Sequence, residues 1–139
     1  MDVATRVRLP LLLLRIGVFI VMLMWTLDKL VRPAHAAGVF KKFYHIEGLS
    51  PTLFLIIAAA ELLLLVAFVA GLGKRFTYAA VLILHAISTL SSYPQYLAPF
   101  DNLLFFAAWP MLAACATLYL LRDLDTLWTL GKANRSPSG

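Results

Sequence analysis

The chain is poor in charge and in cysteine, and each scarcity excludes a class of protein. Only 14% of its 139 residues are charged, whereas about a quarter are charged in soluble domains. A disordered chain or a nucleic-acid-binding chain would carry more charge, so both classes are excluded. Because Cys115 is the single cysteine, the sequence allows no internal disulfide, no dithiol redox pair and no cysteine-rich metal site.

Apolar residues take the place of the missing charge. They make up 62% of the chain, against about 45–50% in soluble domains. A soluble domain of this length could not bury so much apolar surface. The composition therefore predicts a single membrane domain over residues 1–139, with the lipid bilayer as a partner and no nucleic-acid partner.

Four apolar stretches are long enough to cross a bilayer, which needs about 20 residues per helix. Charged residues, prolines or glycines bound each stretch. Since lipid offers no hydrogen bonds to bare peptide groups, each stretch should be a helix. The sequence therefore predicts an all-α, integral membrane four-helix bundle, with spans at about residues 9–30, 52–71, 76–93 and 102–121.

The segments outside these spans are amphipathic or polar. Between the first two spans, residues 35–47 are predicted to form a short interfacial helix, because the aromatic side chains can face lipid while the lysines stay in water. Residues 122–131 are predicted to be a juxtamembrane amphipathic segment, and residues 132–139 a flexible polar tail.

The basic residues favour a multi-pass topology with both termini in the cytoplasm, the side on which positive charge accumulates. Seven basic residues lie on the side of the membrane that holds both termini: Arg6, Arg8, Lys74, Arg75, Arg122, Lys132 and Arg135. Four lie on the opposite side: Lys29, Arg32, Lys41 and Lys42. A cleaved signal peptide ending at Ala36 is rejected, because the apolar run before it is long and carries Arg15.

Three ionisable residues, Arg15, Glu61 and His85, lie deep within the predicted spans. A charged side chain at such a depth costs about 2.5–3.5 kcal/mol, so these residues are the first place to look for function. If the first two spans are adjacent, we expect Arg15 and Glu61 to form an ion pair. The pair is interpreted either as a structural clamp or as a site that holds a ligand headgroup or relays a proton.

The third span carries a stripe of polar residues. Tyr78, His85, Ser88, Thr89 and Ser92 follow helical spacing and therefore share one face. Such a face should meet protein or a wet cavity that opens to the outer side, and interhelical hydrogen bonding explains it equally well. Together with the deep residues, the stripe gives the candidate ligand-binding set Arg15, Glu61, His85, Tyr78, Ser88 and Thr89.

A second polar set is predicted at the outer end of the bundle. Asp28 and Lys29 lie near the end of the first span, and Asp101, as a helix N-cap, would begin the fourth at the same depth. We expect the set to be structural rather than catalytic. No histidine or carboxylate spacing indicates a metal site, and no motif names a catalytic residue. The predicted outer polar cluster is Trp25, Asp28, Lys29, Tyr93, Asp101 and Asn102.

Short motifs occur in a fixed order between residues 11 and 121. They are Leu14-Arg15, Trp25 with Lys29-Leu30, Phe43 with Gly48-Leu49-Ser50-Pro51, Glu61-Leu62, Gly71-Leu72-Gly73-Lys74-Arg75 and Asp101-Asn102. This ordered set resembles the DoxX family of small four-helix bacterial membrane proteins. The resemblance implies a four-helix bundle in the bacterial cytoplasmic (inner) membrane.

The resemblance also implies a link to redox or sulfur metabolism. Relatives named DoxD belong to a thiosulfate:quinone oxidoreductase, and others are linked to peroxide defence or to amine-dehydrogenase maturation. On the family pattern, Arg15, Lys29 and Glu61 would be the polar positions. Asp28 departs from the pattern, because a small residue is expected there.

Three functions stay open at this point. The leading one is a membrane subunit of an oxidoreductase system with a quinone or small-molecule pocket between helices and no covalent cofactor. Since no residue of the chain carries electrons, the quinone or a soluble or membrane redox partner would supply that chemistry. The alternatives are an assembly or interaction protein for a membrane redox complex without its own ligand, and a small carrier, which would need a homo-oligomer.

Overall fold

The computed structural model describes residues 1–48 and 50–130. Residue 131 and the predicted polar tail at 132–139 lie outside this part of the chain. All secondary structure within it is helical, which confirms the all-α prediction. The α-helices are α1 (Val3–Val31), α2 (Pro33–Tyr44), α3 (Pro51–Val69), α4 (Lys74–Ser91), α5 (Tyr93–Tyr96) and α6 (Ala108–Leu120).

Helix α1 begins six residues before the predicted span because Asp2 caps it. The Asp2 carboxylate accepts a hydrogen bond from the backbone N–H of Thr5 at 2.9 Å, and so satisfies one of the free donors of the first turn. Hydrogen bonds from the side chain and backbone of Thr5 hold the pKa of Asp2 below its ordinary value. The cap therefore adds a polar turn ahead of the apolar part of the helix.

The fourth predicted span is divided between two kinds of helix. A 3₁₀-helix covers Leu103–Ala107, and α6 follows it directly. Pro110 lies in the first turn of α6, where a backbone N–H has no partner within the α-helix, so its ring is accommodated there. Asp101 belongs to a separate 3₁₀ turn, Pro99–Asp101. It is therefore not the helix N-cap that the sequence suggested.

The long helices pack side by side. Helix α1 contacts α3 and α6, and α4 contacts the same two neighbours from the other side. The core between them is made mostly of aliphatic and aromatic side chains, chiefly Leu11, Val18, Leu65, Phe68, Tyr78, Val81 and Leu118. A segment after α6, residues 122–130, turns back across the end of the bundle at which α1 and α4 begin. We call it the C-terminal strap.

Three helices of the described part are long and apolar enough to cross a membrane: Val3–Val31, Thr52–Val69 and Leu103–Leu120, the last combining the 3₁₀-helix with α6. Helix α4 is less apolar, because it begins with two basic residues and carries the polar stripe.

The distribution of side chains is inverted relative to that of a soluble protein. Leu63, Phe76 and Leu104 are 74%, 75% and 90% exposed, whereas Arg15 and Asp125 are at most 1% exposed. Single exposed apolar residues are ordinary in soluble proteins, but so many large ones together with fully buried charges are not. The arrangement is the one that a lipid environment favours.

Candidate functional site

Arg15 lies in a buried network at the end of the bundle that the C-terminal strap covers. Its guanidinium donates to Oδ1 of Asp125 at 2.7 Å and to the carbonyl oxygens of Leu127 and Trp128 at 2.6 and 3.1 Å. The ion pair expected between Arg15 and Glu61 is therefore not formed. Because Asp125 follows the last helix, the buried cation of α1 is neutralised by the opposite end of the described chain.

The second oxygen of Asp125 is also occupied. The Tyr78 hydroxyl donates to Oδ2 at 2.6 Å, and the Lys74 ammonium donates to the backbone carbonyls of Asp125 and Arg122. Each carboxylate oxygen thus has a donor, which is the condition under which a buried charge is tolerated. We call Arg15, Lys74, Tyr78 and Asp125 the inner network.

The C-terminal strap is fixed to the turn between α3 and α4 as well. The backbone N–H of Leu130 donates to the carbonyl of Ala70 at 2.7 Å. Gly71 has φ +71°, and a Cβ built on it would lie 2.6 Å from Cγ2 of Thr129. Glycine is therefore required here both for the backbone conformation and for the close approach of the strap.

Glu61 pairs with Lys29 instead of Arg15. Lys29 Nζ lies 2.8 Å from Oε2 of Glu61, and the Thr26 hydroxyl lies 3.0 Å from the same oxygen. Helices α1 and α3 are adjacent, as the expectation assumed, but Arg15 and Lys29 are about 21 Å apart along α1. Glu61 can therefore reach only one of them. The Lys29–Glu61 pair is partly exposed, at 14% and 20%.

His85 and the rest of the polar stripe point into the protein. The His85 ring lies with Nε2 3.0 Å from the carbonyl oxygen of Ala108, so Nε2 carries the proton and donates. The Thr89 hydroxyl donates to the carbonyl of His85 at 2.8 Å, and the Ser92 hydroxyl to that of Ser88 at 3.1 Å. Four of the five side chains of the stripe, those of Tyr78, His85, Thr89 and Ser92, are thus engaged in hydrogen bonds within the protein.

The six residues of the predicted outer polar cluster take different partners. Asp28 accepts from Arg32 Nε at 2.7 Å and lies 2.5 Å from Nδ1 of His35, at the junction of α1 and α2. The Asn102 amide donates to the carbonyl of Ala98. Trp25, Tyr93 and Asp101 are exposed. The structure describes all six, and no hydrogen bond or ion pair joins any two of them.

The candidate ligand-binding residues are likewise distributed over separate places. Arg15 and Tyr78 meet through Asp125, Glu61 lies with Lys29, and His85 lies against the start of α6. Ser88 and Thr89 lie beside His85 on α4. Within residues 1–48 and 50–130, no group of three histidine, cysteine or carboxylate side chains is placed to hold a metal ion.

Sequence reasoning missed Asp125, Lys74 and Thr26. The expected partner of Arg15 is an acid inside a predicted span, whereas Asp125 lies beyond the last span and is fully buried. The signal that could have found it is the unbalanced charge of Arg15, which requires a carboxylate from somewhere in the chain. Thr26 gave no signal, because a threonine in a membrane helix commonly bonds its own helix.

A groove of about 550 Å³ lies at the other end of the bundle, between the end of α2 and the end of α4. We call it the outer groove. Its lining is mixed, polar and apolar: Lys42, Phe43, Tyr44, His45, Ile46, Ile87, Ser91, Tyr93, Pro94 and Gln95.

The chain matches no protein-family model, no curated protein and no solved structure. The resemblance to the DoxX family therefore stays a prediction from the motifs.

Proposed function

We propose that the chain is an integral membrane protein in which α4 crosses the bilayer together with the three more apolar helices. Two features of α4 support this. It packs between α3 and α6, both within candidate spans. Its polar stripe faces the bundle, while Phe76, Ile83 and Leu90 on its other side are more than half exposed. Lipid would solvate those side chains and could not solvate the stripe.

The proposed location is the bacterial cytoplasmic membrane, with both termini in the cytoplasm. The inner network would then lie near the cytoplasmic surface, beside Arg75 and Arg122. This placement agrees with the accumulation of basic residues on the cytoplasmic side of membrane proteins. Fusing a reporter that is active only in the cytoplasm to either terminus tests the orientation, and an inactive fusion at either terminus contradicts it.

Within the membrane, we propose that the protein is an assembly or interaction subunit of a redox complex, as the DoxX resemblance implies. One observation carries the proposal: Arg15, Glu61 and His85 are each held by a different protein group. A ligand at Arg15 or His85 would have to replace a formed bond to a buried group, which is costly, and Glu61 is already paired with Lys29. The three groups are better suited to fasten the helices, leaving the apolar outer faces to contact a partner.

Deletion of the gene and complementation test this function. In the deletion strain, the abundance of the redox complex should fall, and a tagged full-length chain purified in mild detergent should carry a component of that complex. Complementation with Glu61→Gln should restore abundance, because glutamine retains an acceptor for Lys29. Undiminished activity of the membrane redox enzymes in the deletion strain, together with no co-purifying protein, would refute the proposal.

A second candidate is a quinone or small-molecule site at the Lys29–Glu61 pair, and the partial exposure of the pair favours it. Both hydrogen bonds to Glu61 end on Oε2, and Lys29 has three donors. A quinone carbonyl could therefore accept from Lys29 while Glu61 keeps its partner. Quinone binding to the purified protein should be saturable, and the Glu61→Gln substitution should weaken it. Asp28→Asn is the control and should leave the affinity unchanged. A quinone affinity that Glu61→Gln leaves unchanged excludes this site.

A further inference from the structure

The outer groove has the charge of an anion site. Among the described residues that line it, Lys42 is the only charged one, and none is a carboxylate. The neighbouring lysine is engaged elsewhere, because Lys41 Nζ lies 3.7 Å from Glu47. Lys42 instead lies over the ring of Phe43, 5.4 Å from its centre. Its charge is therefore available to an anionic occupant, and His45 lines the groove beside it.

One residue that lines the groove, Gln95, has a hydrogen-bond acceptor without a partner. Its Oε1 is buried and accepts no hydrogen bond from the described residues. Buried polar atoms are nearly always paired, and an unpaired one calls for a specific reason. A hydroxyl of an occupant would supply the missing donor. The groove thus combines a cation for an anionic group with an acceptor for a hydroxyl group.

The surroundings of the groove suit a molecule with an acyl chain. Ile87 lines it and is 50% exposed, and Leu90 on the same helix is 62% exposed. Tyr93 marks the level at which α4 ends, where aromatic residues commonly meet lipid headgroups. An occupant in the groove can therefore place its polar group among Lys42 and Gln95 and its chain along the exposed face of α4.

We propose that the outer groove binds a phospholipid whose anionic phosphodiester carries a hydroxylated headgroup, of the phosphatidylglycerol type. The phosphate would bond Lys42, and a headgroup hydroxyl would donate to Oε1 of Gln95. The proposal rests on the membrane location proposed above and goes beyond the assembly function. It is separate from the inner network and from the Lys29–Glu61 pair, neither of which lines the groove.

Native mass spectrometry of the full-length protein in detergent tests the proposal. Phosphatidylglycerol, phosphatidylcholine and phosphatidylmethanol are compared with identical acyl chains. Phosphatidylmethanol, which is anionic but has no headgroup hydroxyl, should bind about fivefold more tightly than phosphatidylcholine, the effect of one basic residue on an anionic lipid. Phosphatidylglycerol should bind about fivefold more tightly again than phosphatidylmethanol, because only its headgroup can donate a hydrogen bond to Gln95. Equal binding of phosphatidylglycerol and either other lipid overturns the proposal.

Two variants with a matched control locate the site. Lys42→Gln should remove the preference for phosphatidylmethanol over phosphatidylcholine, and Gln95→Leu the preference for phosphatidylglycerol over phosphatidylmethanol. Lys41→Gln should change neither, because Lys41 does not line the groove. If Lys41→Gln has the effect of Lys42→Gln, general surface charge explains the binding and the proposed site is wrong. All variants are checked for helix content, and the comparison of lipids on the unmodified chain needs no variant.

Two further measurements distinguish a lipid site from a site for free phosphate, and a failure of the lipid site from a failure of the membrane location. Displacement of phosphatidylglycerol by millimolar inorganic phosphate would show a site for free phosphate and overturn the lipid proposal. Alkaline carbonate extraction of membranes tests the membrane location by itself. A chain that carbonate releases refutes the membrane location, whereas a chain that stays in the membrane without lipid preference refutes only the lipid site.

Discussion

The inner network and the Lys29–Glu61 pair both join helices through an ion pair. They differ in how deeply the charged side chains are buried and in how many carboxylate oxygens are hydrogen-bonded. In the inner network the paired side chains are at most 1% exposed, and both oxygens of Asp125 have donors. In the Lys29–Glu61 pair the side chains are 14% and 20% exposed, and a single carboxylate oxygen takes both hydrogen bonds. The difference separates a buried network, in which both carboxylate oxygens are bonded and only Nε of Arg15 has no partner in the described part of the chain, from a partly exposed pair that keeps capacity for another partner.

The inner network also connects more of the chain. It joins α1, α4 and the C-terminal strap, whereas the Lys29–Glu61 pair joins α1 and α3. Removing Arg15 or Asp125 leaves the charge of the other buried without an ion partner. The pair, by contrast, can relax towards its exposed side. Disrupting the inner network should therefore cost more stability than disrupting the pair.

The largest effect is expected for Arg15→Leu. The substitution leaves the Asp125 carboxylate buried without a cation, which should lower the free energy of unfolding by about 3–5 kcal/mol. Thermal unfolding in detergent, followed by circular dichroism, measures the change. Arg8→Leu is the control, because Arg8 is exposed on the same helix. Equal melting temperatures of the two variants would show that the inner network is not the main fastening.

Gly71→Ala should destabilise the protein by about 2 kcal/mol, from the left-handed backbone and from overlap with Thr129. The effect acts on the strap and leaves every polar member of the inner network intact. Gly17→Ala is the matched control, because nothing lies within 4 Å of a Cβ built there and its φ is not positive. The control should be neutral or slightly stabilising, and protease cleavage after Trp128 should accelerate only in the Gly71 variant.

Tyr78→Phe should cost about 1–2 kcal/mol, because it removes one donor from the buried Asp125 and leaves the ion pair in place. The same thermal unfolding measurement applies. Tyr119→Phe provides the control, since the hydroxyl of Tyr119 donates no hydrogen bond in the described part of the chain. A loss as large as that of Arg15→Leu would mean that the hydroxyl, rather than the guanidinium, balances Asp125.

The smallest effect is expected for Glu61→Gln, about 1 kcal/mol or less, since the pair is partly exposed and glutamine still accepts from Lys29. A double-mutant cycle with Lys29→Met measures the coupling between the two side chains. A coupling comparable to that of Arg15 with Asp125 would remove the distinction between the two regions and the support for an accessible site.

The sequence predicted the features that arise from composition and local periodicity. The apolar runs gave the long helices, and the spacing around His85 gave an inward polar face, because both depend on neighbours within a few turns. The bond between Arg15 and Asp125 joins residues 110 positions apart, and no local pattern encodes it. The register between α1 and α3 places Glu61 beside Lys29. That register depends on side-chain packing, which periodicity does not describe.

The start of the fourth span shows a second limit of prediction from sequence. Hydropathy identified the apolar run, but it does not distinguish a 3₁₀-helix from an α-helix.

The end of the fourth span shows a third limit of prediction from sequence. Residues 125–130 leave the helical path, and side chains from distant positions, Arg15 and Lys74, bond the carbonyls of the C-terminal strap. Those bonds replace helical ones, and they are invisible until the fold is known.

The long separation between Arg15 and Asp125 has a consequence for biosynthesis. A ribosome that adds about 5–20 residues per second needs roughly 5–20 s to proceed from one to the other. During that interval the first helix holds its cation without the aspartate that will neutralise it. A nascent chain that stalls before Asp125 keeps its buried cation without that aspartate.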